Sequence, residues 1–201
     1  MNLKSAANFA ILAGSTVTNT GPTKVQGHLG LSPGSAVTGF PSGVMVPPSS
    51  IHISNATVDQ AKIDLTAAFK DAANRSGGTS IAGEIGGLTL IPGVYSASSS
   101  VKLTGTLTLN GNGCADAVWI FQIPTTLTTA SRSKIVLING AKAANVFWMV
   151  GSSATLGTYA IFKGDIMAAK SITVTTGVDV EGRVLAQNAA VTLDTDNIHM
   201  P

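Results

Sequence analysis

The sequence predicts a mainly β fold, a triangular β-solenoid (β-helix) with one long α-helix packed alongside, in a single domain spanning residues 1–201. Three observations carry this reading. The C-terminal third repeats about every 18 residues, a period too short for a helix pair and suited to one coil of three short stacked strands. The composition, with 22 Gly, 44% hydrophobic residues and only 11% charged, fits an all-β protein with many tight corners and a filled core. Only one segment has helical periodicity.

The repeat shows when Ser153 to Lys170 is set above Ser171 to Asn188. Thr155 then meets Thr173, Thr158 meets Thr176 and Gly164 meets Gly182, while Leu156, Phe162, Ile166 and Ala168 meet Val174, Val180, Val184 and Ala186. A further turn begins at Ala190 with VTLDT. An earlier one holds TTLTT at Thr125 to Thr129, set off by a longer insertion through Asn139 and Gly140. The N-terminal segment fits the same template: Val17, Val25, Gly27 and Leu29 take the places of Val174, Val180, Gly182 and Val184 after one inserted residue near Thr20. It reads as a coil separated in sequence from the others.

The stretch 32–54, rich in Gly, Ser and Pro, reads as an irregular cap over an open solenoid end, where a bare strand edge would otherwise invite aggregation. A helix follows over 58–74: Thr57 and Gln60 suggest a capping box, and Ala61, Leu65, Ala68, Phe69 and Ala72 share one stripe. The segments VWIFQI, NVFWMV, DIMAA and RVLAQ are apolar on both sides of the strand, so their outer side needs a cover, and the helix stripe supplies it.

Strand alternation fixes what faces solvent. With Ile172 and Val174 inward, Thr173 and Thr175 point out, and the same phase exposes Thr126 and Thr128, Thr155, Thr192, and Thr16 and Thr18. Ranks of threonine therefore stack coil upon coil. Thr129, Thr158, Thr176 and Thr195, with Thr20 nearby, form a second file at a corner, where a bend breaks the alternation. The third strand exposes Ile161, Lys163, Asp179 and Glu181, a mixed solvated face.

The 23 threonines outnumber all 22 Lys, Arg, Asp and Glu together, so hydroxyls cover much of the surface. Threonine is a good exposed strand residue in its own right, and its abundance alone assigns no function. A formal net charge of +2 without basic clusters argues against nucleic acid or anionic membrane as partners. The single Cys114 precludes an internal disulfide and reads as a buried structural thiol. His28, His52 and His199 show no metal-site spacing, so no metal or cofactor is expected. Asp179, Glu181, Asp194 and Asp196 lie near one another in the repeat, and a β-helix polysaccharide lyase or hydrolase is the enzyme alternative. Such chemistry needs a cleft, and no long loops build one. A surface adhesin or carbohydrate-binding module is the remaining alternative. The first residues, MNLKSAANFAILAG, lack the pattern of a signal peptide, leaving a cytosolic chain or one whose leader has been removed.

ANFAILAGSTVTNTGPT, GHLGLSPGSAVTGFP, LIPGVYS, VWIFQI, TLTTAS, NVFWMVGSSATLGT and GRVLAQNAAVTLDT, in this order from Ala7 to Ile198, together resemble the DUF3494 family of microbial ice-binding proteins. The resemblance implies a right-handed discontinuous β-solenoid with a long helix alongside, and an N-terminal coil stacked on the C-terminal one. It also implies a secreted, non-enzymatic, monomeric antifreeze protein whose partner is the ice surface. The family's T-A/G-X-T/N pattern is matched by Thr20-Gly21-Pro22-Thr23. Thr176-Gly177-Val178-Asp179 and Thr129-Ala130-Ser131-Arg132 depart from it by ending in a charge, and Thr158-Tyr159-Ala160-Ile161 keeps only the first Thr.

Overall fold

A computed structural model describes all 201 residues. It forms three parallel sheets around one apolar interior. The first sheet runs β7 (Ile51–Ile53), β4 (His28–Leu31), β1 (Phe9–Ala13), β22 (Val184–Ala186), β19 (Asp165–Ala168), β16 (Val146–Val150), β13 (Trp119–Ile123), β10 (Gly93–Ala97), β8 (Thr79–Ile81). The second runs β5 (Ala36–Thr38), β2 (Thr16–Thr20), β23 (Val191–Asp194), β20 (Ile172–Val174), β17 (Ala154–Leu156), β14 (Leu127–Thr129), β11 (Val101–Leu103). The third runs β6 (Val44–Met45), β3 (Lys24–Gln26), β24 (Asn197–His199), β21 (Asp179–Glu181), β18 (Ile161–Lys163), β15 (Lys134–Ile138), β12 (Thr106–Asn110), β9 (Thr89–Leu90).

The order in space is not the order in sequence. The solenoid path starts at Thr79 and climbs to His199. It then resumes at Phe9, because β1 lies beside β22 and β3 beside β24, and it ends at Ile53. Helix α1 (Ala56–Ala73) carries the chain back from that end to Thr79. At 1.5 Å per residue it is about 27 Å long, enough to cover five or six coils spaced by about 4.8 Å.

The repeat pairs appear in register: Leu156 beside Val174, Phe162 beside Val180, Ile166 beside Val184 and Ala168 beside Ala186. Val25 and Leu29 likewise join the ranks of Val180 and Val184. Val17 does not join Val174. It pairs with Val191 in the rank of Ile172, so the strand is shifted by two residues from the expected alignment. The place that follows Leu193 in Val174's rank goes to Asn19, buried with its amide donating to the carbonyls of Gly21 and Gly39. With Val17 in the rank of Ile172, Val17 to Val25 spans eight residues just as Ile172 to Val180 does, so the residue inserted near Thr20 is not needed and only the starting alignment was displaced.

Inside, Tyr95, Phe121 and Trp148 lie on successive coils with stacked rings, the last two 3.9 Å apart. Outside the first sheet, Leu12, Leu185, Met167 and Met149 form a second apolar cluster with Val58, Ala61, Leu65, Ala68 and Ala72 of α1. The expected helix stripe is thus buried, with Phe69 partly so. The helix starts two residues earlier than expected, and its N-cap is Asn55, whose side chain accepts from the Val58 amide, rather than Thr57. At the other end Gln122 donates to the carbonyls of Ala72 and Arg75, closing off the helix C-terminus.

Two further expectations are corrected. Residues 32–54 are no irregular cap: β5, β6 and β7 make a full terminal coil, whose strands of two or three residues are too short to show a period amid Pro and Gly. Cys114 is exposed, not buried, because it sits in the turn after Gly111, outside the coil register.

Candidate functional site

The second sheet is bare of any covering element and carries the threonines. Its pairing sets Lys102, Thr128, Thr155, Thr173, Thr192, Thr18 and Thr38 side by side. Six threonines therefore stand in one unbroken file, about 4.8 Å apart, closed at one end by a lysine. The file crosses the break in chain path between β23 and β2 without losing register. Thr38, on the terminal coil, escaped the sequence reading; SAVTG, phased like STVTN, was the available signal.

Two files flank this one. On one side stand Thr126, Ser153, Ser171, Ala190, Thr16 and Ala36, all small, one position before the inward residues that fix the register. On the other side, at the corner, stand Ser131, Thr158, Thr176, Asp194 and Thr20, tied together by the amides of Arg132, Tyr159, Gly177 and Thr195 donating to the carbonyls of the next coil. Within this corner file Thr158 donates to Ser131 Oγ at 2.8 Å and Thr176 to the Asp194 carboxylate. Thr175 lies near the corner with its hydroxyl given to the Leu156 carbonyl at 2.7 Å. These bonds have no counterpart in the central file, whose hydroxyls are left to solvent.

Of the residues read from the sequence, Thr16, Thr18, Thr126, Thr128, Thr155, Thr173 and Thr192 thus lie on this face, with Thr20, Thr158, Thr175 and Thr176 at its edge. Three are placed differently. Thr129 is inward and buried, because β14 stays extended one residue further than expected and sets it in the rank of Leu103 and Leu156; its hydroxyl accepts from the Gly157 amide at 2.9 Å. Thr23 is wholly buried and its hydroxyl accepts from the Asp196 amide at 3.0 Å, so the second Thr of the T-G-P-T match is a corner strut rather than a surface group. Thr195 follows the corner file instead of belonging to it. Its coil turns one residue sooner, Asp194 takes the file position, and Thr195 adopts a left-handed φ of 58°.

The acids do not converge as a pair of like function. Asp179 and Glu181 project from the third sheet toward Asn197 and Lys163, whereas Asp196 is buried at the corner. Its carboxylate accepts from the amides of Val178 and Asp194, yet burial and the neighbouring Asp194 charge push its pKa up to about 7. His28 and His52, far apart in sequence, meet at the end of the first sheet, while His199 lies 3.6 Å from Asp179.

The chain is similar to proteins whose names state what they bind. The family profile described as Ice-binding-like matches residues 11–199. An ice-binding protein of Nostoc sp. (strain HG1) is 50% identical over 198 residues, covering 98% of this chain and 72% of that protein. One from Colwellia sp. is 39% identical, covering 100% of this chain and 84% of the relative. Among solved structures, an ice-binding protein from an Antarctic biological consortium superposes with a TM-score of 0.97 at 47% identity, over 100% of this chain and 90% of that one. One from the Antarctic ascomycete Antarctomyces psychrotrophicus gives 0.94 at 41%, over 99% and 97%. With nearly the whole length matched in sequence and in fold, the chain belongs to the Ice-binding-like family.

Proposed function

We propose that this protein binds ice through the second sheet, with Thr128, Thr155, Thr173, Thr192, Thr18 and Thr38 as the central contacts. The observation that supports it is the unbroken in-register file of threonines on a bare, uncharged stretch of sheet in a member of this family. Each threonine presents a methyl and a free hydroxyl. The spacing is about 4.8 Å across strands and about 6.7 Å between outward positions along one strand, distances similar to oxygen repeats in ice. The array can therefore hold a layer of water already arranged for the crystal.

No single contact in such an array is strong. Attachment comes from many contacts formed at once by a scaffold that loses little conformational freedom on binding. The small flanking file of Thr126, Ser153, Ser171, Ala190, Thr16 and Ala36 keeps the approach unobstructed. Adsorption pins the growth front, lowers the freezing point and blocks recrystallisation. We place the protein outside the cell, acting as a monomer and without enzymatic activity.

The test is thermal hysteresis and recrystallisation inhibition by the purified protein beside a Thr173→Tyr variant, with folding followed by circular dichroism. Activity in the parent that collapses in the folded variant supports both function and face. Equal activity in both moves the site to another face, and inactivity of the parent overturns the reading in favour of an adhesin or carbohydrate-binding module.

A further inference from the structure

We propose that His28 and His52 form a binding site for a divalent transition-metal ion of the zinc, nickel or copper class at the terminal coil. His28 opens β4 and His52 is the middle residue of the adjoining β7, so the two belong to neighbouring coils. Their rings meet edge to face with centroids 4.9 Å apart. Phe9 packs against both, at 5.8 and 5.6 Å, and limits how far either ring can swing.

Nδ1 of His28 and Nε2 of His52 each lie 3.0 Å from one atom, the hydroxyl oxygen of Ser50. That hydroxyl has a single proton and can donate to only one of the two nitrogens. His28 Nδ1 also receives the Ser50 backbone amide at 3.2 Å, which marks it as the unprotonated nitrogen of the ring. Two imidazole nitrogens within 3.0 Å of one point make a donor pair suited to ions that favour imidazole, an ion there displacing the Ser50 amide from His28 Nδ1 as well as the hydroxyl. A zinc–nitrogen bond is about 2.0–2.1 Å. An ion can thus take the place of the hydroxyl if Ser50, which is exposed, turns outward and each ring moves in by about 1 Å.

No third His, Cys or carboxylate completes the set, so the remaining positions fall to water or to Ser50. The site is open and exchangeable, unlike a closed structural zinc centre. Its occupation ties β7 to β4 and so tightens the coil that bears Thr38, without touching the threonine face.

The experiment is a titration of the chelator-treated full chain with Zn²⁺, followed by calorimetry and by the histidine ring resonances in NMR. One saturable equivalent is expected, with the His28 and His52 signals moving and the His199 signal still. His28→Ala and His52→Ala should each weaken binding at least about tenfold, and His199→Ala should leave it unchanged. Ser50→Ala, which removes the competing hydroxyl and keeps both rings, should retain zinc or bind it more tightly, and it separates loss of ligands from loss of fold. Failure to saturate at millimolar zinc, parental affinity in either single histidine variant, or loss of binding in Ser50→Ala would each overturn the assignment. None of these outcomes depends on ice binding.

Discussion

The first and second sheets are built from the same coils, yet their outer surfaces have opposite fates. Leu12, Leu185, Met167, Met149 and Gln122 form one outward file, and the next strand of each coil contributes Thr18, Thr192, Thr173, Thr155 and Thr128 to the other. The first file lies against α1 and is buried apart from Gln122; the second faces solvent or is half-buried by its own neighbours. Both sheets present one side to the common core, so the identity of the outward residue alone decides whether a strand is covered or bare. The helix side holds the coils together, and the proposed ice contact is confined to the threonine side. Substitutions on the two sides should therefore differ in kind.

The largest effect on stability is expected where the two blocks of coils are joined. Arg183, just before β22, makes two 3.0 Å contacts to Asp165 and donates from Nε to the Ala7 carbonyl, so it grips the preceding coil and the N-terminal segment together. Asp165 is only 1% exposed. Its pKa is pushed up to about 6 by burial, against the pull of Arg183. Arg183→Ala leaves this carboxyl unpaired and should cost about 3–5 kcal/mol, less at acid pH where Asp165 takes up a proton. Chemical denaturation at pH 5 and pH 8 checks both the magnitude and its dependence on pH.

Next comes the helix contact. Leu65 is fully buried between α1 and the first sheet, and Leu65→Ala should destabilise by about 2–5 kcal/mol. Ice activity per folded molecule should be unchanged at temperatures where the variant remains folded. Thr173→Val is the complementary change. It keeps the methyl and the volume on the bare face, so stability should move by no more than about 0.5 kcal/mol, while hysteresis falls if the free hydroxyl matters. A stability loss like that of Leu65→Ala would break the separation between the two sheets.

Asp196 gives a smaller, pH-dependent effect. Its folded pKa, about 7, lies above its ordinary value near 3.8, so the folded state binds the extra proton. Its contribution is full below pH 4 and is lost as pH rises through 7. The melting temperature of the parent should fall over that window more than that of Asp196→Asn. Since Asp64, Asp71 and Glu84 are shifted the other way, the difference between the two proteins, not either profile alone, is the readout.

Much of this comparison was legible before any coordinates. Strand parity identified the outward threonines because alternation holds within a strand whatever lies around it, and the two-sided apolar runs called for a helical cover. Corners were less legible. Thr129 kept strand geometry beyond the expected bend, Thr195 lost its place to Asp194 because its coil turns sooner, and Thr23 satisfied a backbone amide from inside. In each case the corner residue is bonded to the neighbouring coil, Thr129 to Gly157, Thr195 to Thr20 and Thr23 to Asp196, contacts that a repeat read along one chain does not contain. The pairing of His28 with His52, and Thr38 as a sixth member of the file, stayed hidden for a related reason: the terminal coil has strands of two or three residues, too short to display a period.

The smallest expected change lies at the end of the file. Lys102 occupies the position that threonine holds in the next six coils, and its outward side chain is exposed. A charged ammonium is strongly hydrated and holds water in its own geometry rather than that of a flat hydroxyl array. Its nearest acid, Glu84, is already held by the Thr104 hydroxyl and by the amides of Gly86 and Thr104, so stability gains little from the lysine. Lys102→Thr should therefore leave stability within about 0.5 kcal/mol and raise thermal hysteresis modestly, by extending the file from six threonines to seven. Unchanged hysteresis would mean that the working surface stops short of β11, and a fall with the melting temperature unchanged would mean that the lysine itself takes part in it. Combining the change with Thr38→Lys at the opposite end tests the count directly: activity that depends only on the number of adjacent threonines should return to the parent value.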